Sequence, residues 1–181
     1  MTRFSYVMAT YGALIAIGAA SCVSVPVRLL WNASASTPIG FYDLAAPHDL
    51  KLGDLVAVMP EKPLADFIVE RGYIGRGVPL LKHVAALPGQ RVCRAGGAVA
   101  VDDTHVGDAL DRDKRGRMLP VWQGCRRIAD GEVFLMNTAV SDSLDGRYFG
   151  ALPARDIIGK ATPLYTDEAG NGRFVWRAVA H

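Results

Sequence analysis

Charge is missing from the start of this chain. Between Phe4 and Val27 there is no Asp, Glu, Lys or Arg. A bilayer core needs about 20 apolar residues in a helix, so three readings compete for this run: an uncleaved membrane anchor, a cleaved export signal, or a buried core helix. It is rich in Ala, Gly and Ser, as in Gly12-Ala13-Leu14-Ile15-Ala16-Ile17-Gly18-Ala19-Ala20, and so only moderately hydrophobic. Ala19-Ala20-Ser21-Cys22 loosely matches a lipoprotein cleavage box but has no large aliphatic residue three before the Cys. Arg3 and Arg28 flank the run equally, which leaves the positive-inside rule without an orientation. Either export reading puts residues after about 28 outside the cytoplasm.

Cysteine is scarce, with three in 181 residues. There is no Cys-x-x-Cys and no His/Cys cluster with zinc spacing, so neither a metal nor a cofactor is expected. Cys22 in the apolar run reads as a small hydrophobe. Cys93 and Cys125 lie in the later part of the chain, where an oxidising compartment pairs them and a reducing one leaves two separate thiols. Long blocks of like charge are also missing, and the net charge is +2. That balance argues against a dedicated nucleic-acid binder, which carries a concentrated basic face. The densest basic stretch, Arg112-Asp113-Lys114-Arg115-Gly116-Arg117, reads as a solvated loop. No Gly-x-Ser-x-Gly elbow accompanies any serine, and His48, His105 and His181 fall in loops or at the end, which disfavours a Ser-His-Asp triad. No internal repeat is visible.

What is present is a series of short apolar segments separated by turn signals. Asp54 to Met59 runs from Gly53 to Pro60, and Leu80 to Leu87 stops at Pro88-Gly89. Gln90 to Cys93, Gly96-Gly97 and Ala98 to Val101 read as a hairpin. Glu132 to Asn137, Ile157 to Thr162 and Arg173 to Arg177 complete the strands, and Lys62 to Arg71 reads as one short helix. The pattern predicts a mostly-β domain over 28–181 behind an N-terminal helix in 1–27. The more polar stretch of about 94–127 is expected to form a small inserted lobe.

Within this pattern Lys82 stands out. It sits in Leu80-Leu81-Lys82-His83-Val84, where burial costs the cation and favours the neutral amine, which is a base. The competing reading is a lysine on the solvent face of a half-exposed strand. His83 is its neighbour, and neighbours on a strand point to opposite faces, so both cannot serve one site. A base needs a nucleophile, and Ser34-Ala35-Ser36-Thr37-Pro38-Ile39-Gly40 offers Ser36, with Pro38 and Gly40 expected to form a sharp turn after it. The competing reading is an ordinary Ser/Thr/Pro loop. A third segment runs from Ser141 to Gly150. On an extended chain Ser143, Asp145 and Arg147 share a face, and the last two form an ion pair; otherwise the segment is a polar surface turn.

These three segments, in this order, resemble the type I signal peptidases, membrane-anchored serine proteases with a Ser-Lys dyad. That family has a Ser-x-Ser turn followed by Pro, similar to Ser34-Ala35-Ser36-Thr37-Pro38. Its lysine segment ends in Leu-Pro-Gly, similar to Leu87-Pro88-Gly89. Its last box, Ser-x-Asp-Ser-Arg-Tyr-Trp-Gly, is similar to Ser143-Leu144-Asp145-Gly146-Arg147-Tyr148-Phe149-Gly150. The segment Asn32 to Tyr42 resembles the TraF branch, maturation peptidases of conjugative transfer systems, and the whole match spans about 28–165. The Ser-Met-x-Pro of the general enzymes is absent, and Gly146 and Phe149 stand where Ser and Trp are common. These departures point to the specialised branch.

The resemblance implies a signal-peptidase-like β domain on the periplasmic face of the inner membrane. It implies Ser36 as nucleophile and Lys82 as general base. The Ser36 N–H and the Ser34 hydroxyl would form the oxyanion hole, Ser143 would orient Lys82, and Asp145 with Arg147 would brace the loop. The implied partner is an exported pre-protein with small residues before the cut, in the TraF branch a prepilin. Water and an amine are both open as acceptors of the acyl group, giving hydrolysis or cyclisation respectively. Two other classes remain. A Ser-Lys self-cleaving repressor needs a DNA-binding domain and no apolar leader, the reverse of this chain. A non-catalytic anchored assembly factor of the transfer channel needs Ser36 and Lys82 to lie far apart.

Overall fold

Strands account for most of the regular structure after residue 28. The computed structural model describes residues 3–21 and 27–177. In chain order the described elements are α1 (Arg3–Ser21), β1 (Leu29–Asn32), β2 (Ile39–Ala45), β3 (Leu55–Val58), α2 (Lys62–Glu70), β4 (Leu80–Ala86), β5 (Arg91–Ala95), β6 (Ala98–Val101), β7 (Thr104–Asp108), β8 (Gly124–Arg127), β9 (Glu132–Met136), α3 (Gly146–Phe149), β10 (Leu152–Pro153), β11 (Ile157–Asp167) and β12 (Val175–Trp176). Cys22 of the lipoprotein-like box and His181 lie outside the described residues.

The larger sheet has the order β1-β2-β11-β3-β4-β9-β10, with β12 also on β11, and its pairings are antiparallel. Its centre is buried on both faces. Leu55, Ala57 and Leu81 pack with Tyr42, Leu44 and Ala161, while Val56, Val58 and Val84 pack with Val133, Leu135 and Ile157. The alternation follows from the two-residue period of a strand. The smaller sheet, β7-β6-β5-β8, spans 91–127. Its Val92, Val99 and Val101 share a core with Ala86, Phe134 and Met136 of the larger sheet. Burying these side chains joins the two sheets, at about 25 cal/mol per Å² of apolar surface.

Helix α2 forms where Pro63 can sit in its first turn without losing a hydrogen bond. It ends at Gly72, whose φ of 65° few other residues adopt and whose N–H caps Val69 O. Helix α1 is 19 residues long with a mean hydropathy of 1.4. It therefore extends about 29 Å, long and apolar enough to cross a membrane. None of its residues is buried, which removes the core-helix reading and leaves anchor or signal.

Two local expectations fail. Gly40 does not make a turn after Ser36; it lies inside β2 at φ 148°, and a Cβ there would sit 2.2 Å from Tyr165 O of the neighbouring strand. The turn spans 34–37 instead. The Ser143–Arg147 segment is not extended either. Asp145 caps the N-terminus of α3 by accepting from Arg147 N–H, and Gly146 fits against Leu135 O and the Phe134 ring, where a Cβ would come within 2.7 Å of both.

Cys93 and Cys125 face each other across β5 and β8 and are joined by a disulfide with an S–S distance of 2.07 Å. Closing a loop of this size restricts the unfolded chain by roughly 3–4 kcal/mol. Thiol counting on denatured, unreduced protein isolated from its native host is expected to find neither Cys93 nor Cys125 free. Reduction is expected to lower unfolding stability by about 3 kcal/mol in a urea titration.

Candidate active site

The Ser36 turn is shaped by one buried side chain, Asn32 at the end of β1. Its Nδ2 donates to Thr37 Oγ1 at 2.9 Å and to the carbonyls of Ser34, Thr37 and Pro38, while its Oδ1 accepts from Ser34 N–H and Ser34 Oγ. With its hydrogen committed to Asn32, Ser34 Oγ accepts from Ser36 Oγ, 3.2 Å away. The Ser36 N–H donates no hydrogen bond among the described residues.

Lys82 lies on β4 opposite Val56 of β3 and is 4% exposed. Its Nζ donates to Ser143 Oγ at 2.8 Å. Among the described residues it makes no salt bridge and no hydrogen bond to Ser36. Burial pulls its pKa down to about 8; the nearby Asp145 opposes that shift and Arg147 assists it. Ser36, Lys82 and Ser143 line one cavity of about 760 Å³, together with Ser34, Leu81 and Tyr73. His83 is not among its lining residues; its Nδ1 lies 3.1 Å from Asn137 Oδ1.

The loop bearing Ser143 is built on a buried ion pair. Arg147 grips Asp145 through two parallel bonds of 2.9 Å, Nε to Oδ1 and Nη2 to Oδ2. Its remaining protons go to the carbonyls of Val140 at 2.7 Å, Ser141 at 2.9 Å and Ser143 at 3.2 Å. Asp145 Oδ2 also accepts from Asn137 N–H. This multiple pairing is what makes a buried guanidinium tolerable. The smaller sheet supports the same segment: Arg94 Nη1 donates to Arg147 O at 2.6 Å and Trp122 Nε1 to Gly146 O at 3.0 Å.

Asn32 and Asn137 were not singled out by sequence reasoning. The Asn-x-Ser spacing at 32–34 is an Asx-turn signal that pointed to the first. For Asn137 the only cue was an amide at the end of a strong strand. Its Nδ2 donates to Ser36 O at 2.8 Å and Leu81 O at 3.1 Å, and its Oδ1 accepts from His83 N–H at 3.2 Å. One amide therefore extends the β4 ladder on either side of Lys82 and holds the Ser36 backbone against it. In the basic stretch 112–117 Arg112, Lys114 and Arg115 are exposed and Asp113 and Arg117 are half-buried, and the four cations also line the cavity.

The sequence matches the signal peptidase family, peptidase S26, over residues 2–166. This chain belongs to that family. It is similar to the conjugal transfer protein TraF of Agrobacterium tumefaciens (strain 15955), 28% identical over 86% of this chain and 92% of that one. It is also similar to a plasmid transfer protein TraF of Escherichia coli, 32% identical over 79% of each chain. A signal peptidase I structure from Enterococcus faecalis V583 aligns at 15% identity over 65% of this chain and 98% of that one, with a TM-score of 0.36.

Two expectations follow for this S26 family member. Lys82 has its folded pKa depressed, so below about 8 the folded state carries a buried cation that the unfolded state solvates freely. That costs about 3 kcal/mol at pH 7, and the cost fades as pH rises toward the unfolded value of about 10.4. Wild type is expected to gain about 2 kcal/mol in urea unfolding between pH 7 and 9.5 relative to Lys82→Met, which lacks the ionisation. Asn137→Ala leaves one buried and two half-buried backbone groups without this partner and is expected to lose about 2 kcal/mol, read in the same titration.

Proposed function

We propose that this protein is a membrane-anchored serine endopeptidase that cleaves an exported precursor through a Ser36–Lys82 dyad. The observation that carries the reading is the buried Lys82 amine, unpaired by any carboxylate and sharing a cavity with Ser36. A solvent-facing structural lysine would have neither property.

In the proposed reaction Ser36 exchanges its Ser34 contact for Lys82 as substrate binds; such hydrogen bonds often tighten only in the bound complex. Neutral Lys82 takes the Oγ proton as Ser36 attacks the scissile carbonyl, and the Ser36–carbonyl bond forms. The oxyanion is met by the free Ser36 N–H and by the Ser34 hydroxyl, which turns from Asn32 toward it. The Lys82 ammonium then protonates the leaving amine, and an ester to Ser36 remains. Water, or an amine of the substrate, releases the acyl group and restores Ser36. Ser143 holds the Lys82 amine in place, and Asp145 with Arg147 holds Ser143.

The TraF relatives support a place in conjugative transfer; to this the proposal adds a prepilin as substrate and a catalytic domain on the periplasmic side of the inner membrane. The length and apolarity of α1 support its role as the anchor, with 28–181 as the peptidase domain. The competing assembly-factor reading draws on the absent Ser36–Lys82 hydrogen bond. It predicts that transfer survives loss of either residue.

The test uses full-length protein co-expressed with the pilin precursor of its own transfer system, with processing followed by mass spectrometry. Ser36→Ala and Lys82→Ala are expected to abolish processing. Ser34→Ala is expected to retain activity reduced roughly 10²–10³-fold, the worth of one oxyanion donor. The pH–rate profile is expected to rise through an apparent pKa near 8, because only neutral Lys82 reacts. Normal processing by Ser36→Ala, or an ascending limb at the pKa of free lysine, would sink the dyad.

A further inference from the structure

The loop between β7 and β8 brings the densest positive charge of the sequence to the wall of the cavity that holds Ser36. Arg112, Lys114, Arg115 and Arg117 all line it. Of the two carboxylates in this loop, the exposed Asp111 forms no ion pair with the loop's cations among the described residues, and Asp113 is already committed. Asp113 Oδ2 accepts from the Tyr73 hydroxyl at 2.6 Å and from Arg117 Nε at 2.7 Å, and its Oδ1 accepts from the backbone N–H groups of Arg115 and Arg117. Those bonds hold the carboxyl well below the usual carboxylate range. Lys114 is paired with Asp142, next to Ser143.

That accounting leaves two cations over. Arg112 donates to Gly116 O, a neutral group, and Arg115 has no hydrogen-bond or ion-pair partner through its side chain among the described residues. Neither is neutralised by a carboxylate. The loop is also held in place from several sides. Arg117 lies over the Tyr73 ring at 5.1 Å, Arg71 Nη1 donates to Met118 O at 2.6 Å, and Leu119 packs with Ala109 and Tyr148. A solvated loop would not need such anchoring, and an anchored loop presents its spare charges in fixed positions.

We propose that Arg112 and Arg115 form a subsite that reads acidic side chains, or a terminal carboxylate, in the peptide substrate. The proposal rests on the peptidase reading of the Ser36 cavity and deepens it by naming the charge class of the substrate. A peptide is favoured over a lipid headgroup because the two arginines line the cavity that contains Ser36 and Lys82. Guanidinium groups suit carboxylates because their planar fork donates two parallel hydrogen bonds.

The test measures binding by full-length Ser36→Ala protein in neutral detergent, which holds a peptide uncut. The probes are fluorescein-labelled peptides with one small-residue core and, at successive flanking positions, a pair of Asp, Gln or Lys residues. The Asp peptide is expected to bind about tenfold more tightly than the Gln peptide at its best position, with the preference shrinking as salt is raised. Adding R112E and R115E is expected to remove that preference and make the Lys peptide the tighter ligand. The reversal cannot be produced by misfolding. Equal binding of Asp and Gln peptides, a preference that survives the double reversal, or no binding by any peptide would overturn the proposal. So would a double reversal that only weakens attachment to phosphatidylglycerol vesicles, which would assign the loop to lipid. Cleavage by wild type is scored separately: acid preference without cleavage sinks the peptidase reading alone.

Discussion

An ammonium group is hard to remove from water, and Lys82 has been removed from it without receiving an opposite charge. Leu81 precedes it on the strand, its register partner is the apolar Val56, and the Nζ finds a single neutral partner in Ser143. The carboxylate nearest in influence, Asp145, is held by Arg147 instead, so its attraction is partly offset. Had Asp145 been free to pair with Lys82, the pKa of the amine would stay closer to that of free lysine and less of it would be neutral near pH 8. The Asp145–Arg147 pair therefore does two things: it shapes the Ser143 loop, and it keeps a carboxylate from claiming the lysine.

The remainder of the site follows from holding three distant segments around that amine. Sheet register fixes Lys82 through β3 and β9. The Ser36 turn has no regular structure to fix it, and two asparagines supply the order. Asn32 closes the turn on itself, and Asn137 ties its backbone to β4. An asparagine side chain carries both a donor pair and an acceptor, so one residue can substitute for a peptide unit where a ladder ends. Hydroxyl or carboxylate side chains at these positions lack that combination.

Much of this was readable from residues alone. The Lys82 strand, the Lys62–Arg71 helix and the hairpin across Gly96-Gly97 follow from apolar runs and turn residues, and all three are present. Local reading failed where long-range contact decides. Gly40 has the composition of a turn residue but is a glycine because Tyr165 O of β11 presses against it. The Ser143–Arg147 segment was read by strand periodicity, yet Asp145 competes for the backbone and starts a helix there. The asparagine bonds span up to 101 positions, and no local pattern encodes a partner that distant. The basic stretch was legible as charge, but not as charge lining a cavity, because that depends on how the smaller sheet docks.

That docking gives the smaller sheet a role beyond filling space. Its strands β5 and β8 are tied by the Cys93–Cys125 bridge, and from β5 Arg94 reaches the carbonyl of Arg147, the residue that braces the Ser143 loop. The Leu110 N–H bonds to the Tyr148 hydroxyl one position further along the same helix. The loop that carries Arg112 and Arg115 thus begins and ends on a rigid platform fastened to α3. Any shift of that platform moves the cavity wall and the Ser143 loop together. In the proposed reaction, binding of substrate by the wall and placement of the Lys82 amine by Ser143 would therefore be mechanically linked through α3. A rigid inserted sheet is a physical means of keeping the two in step.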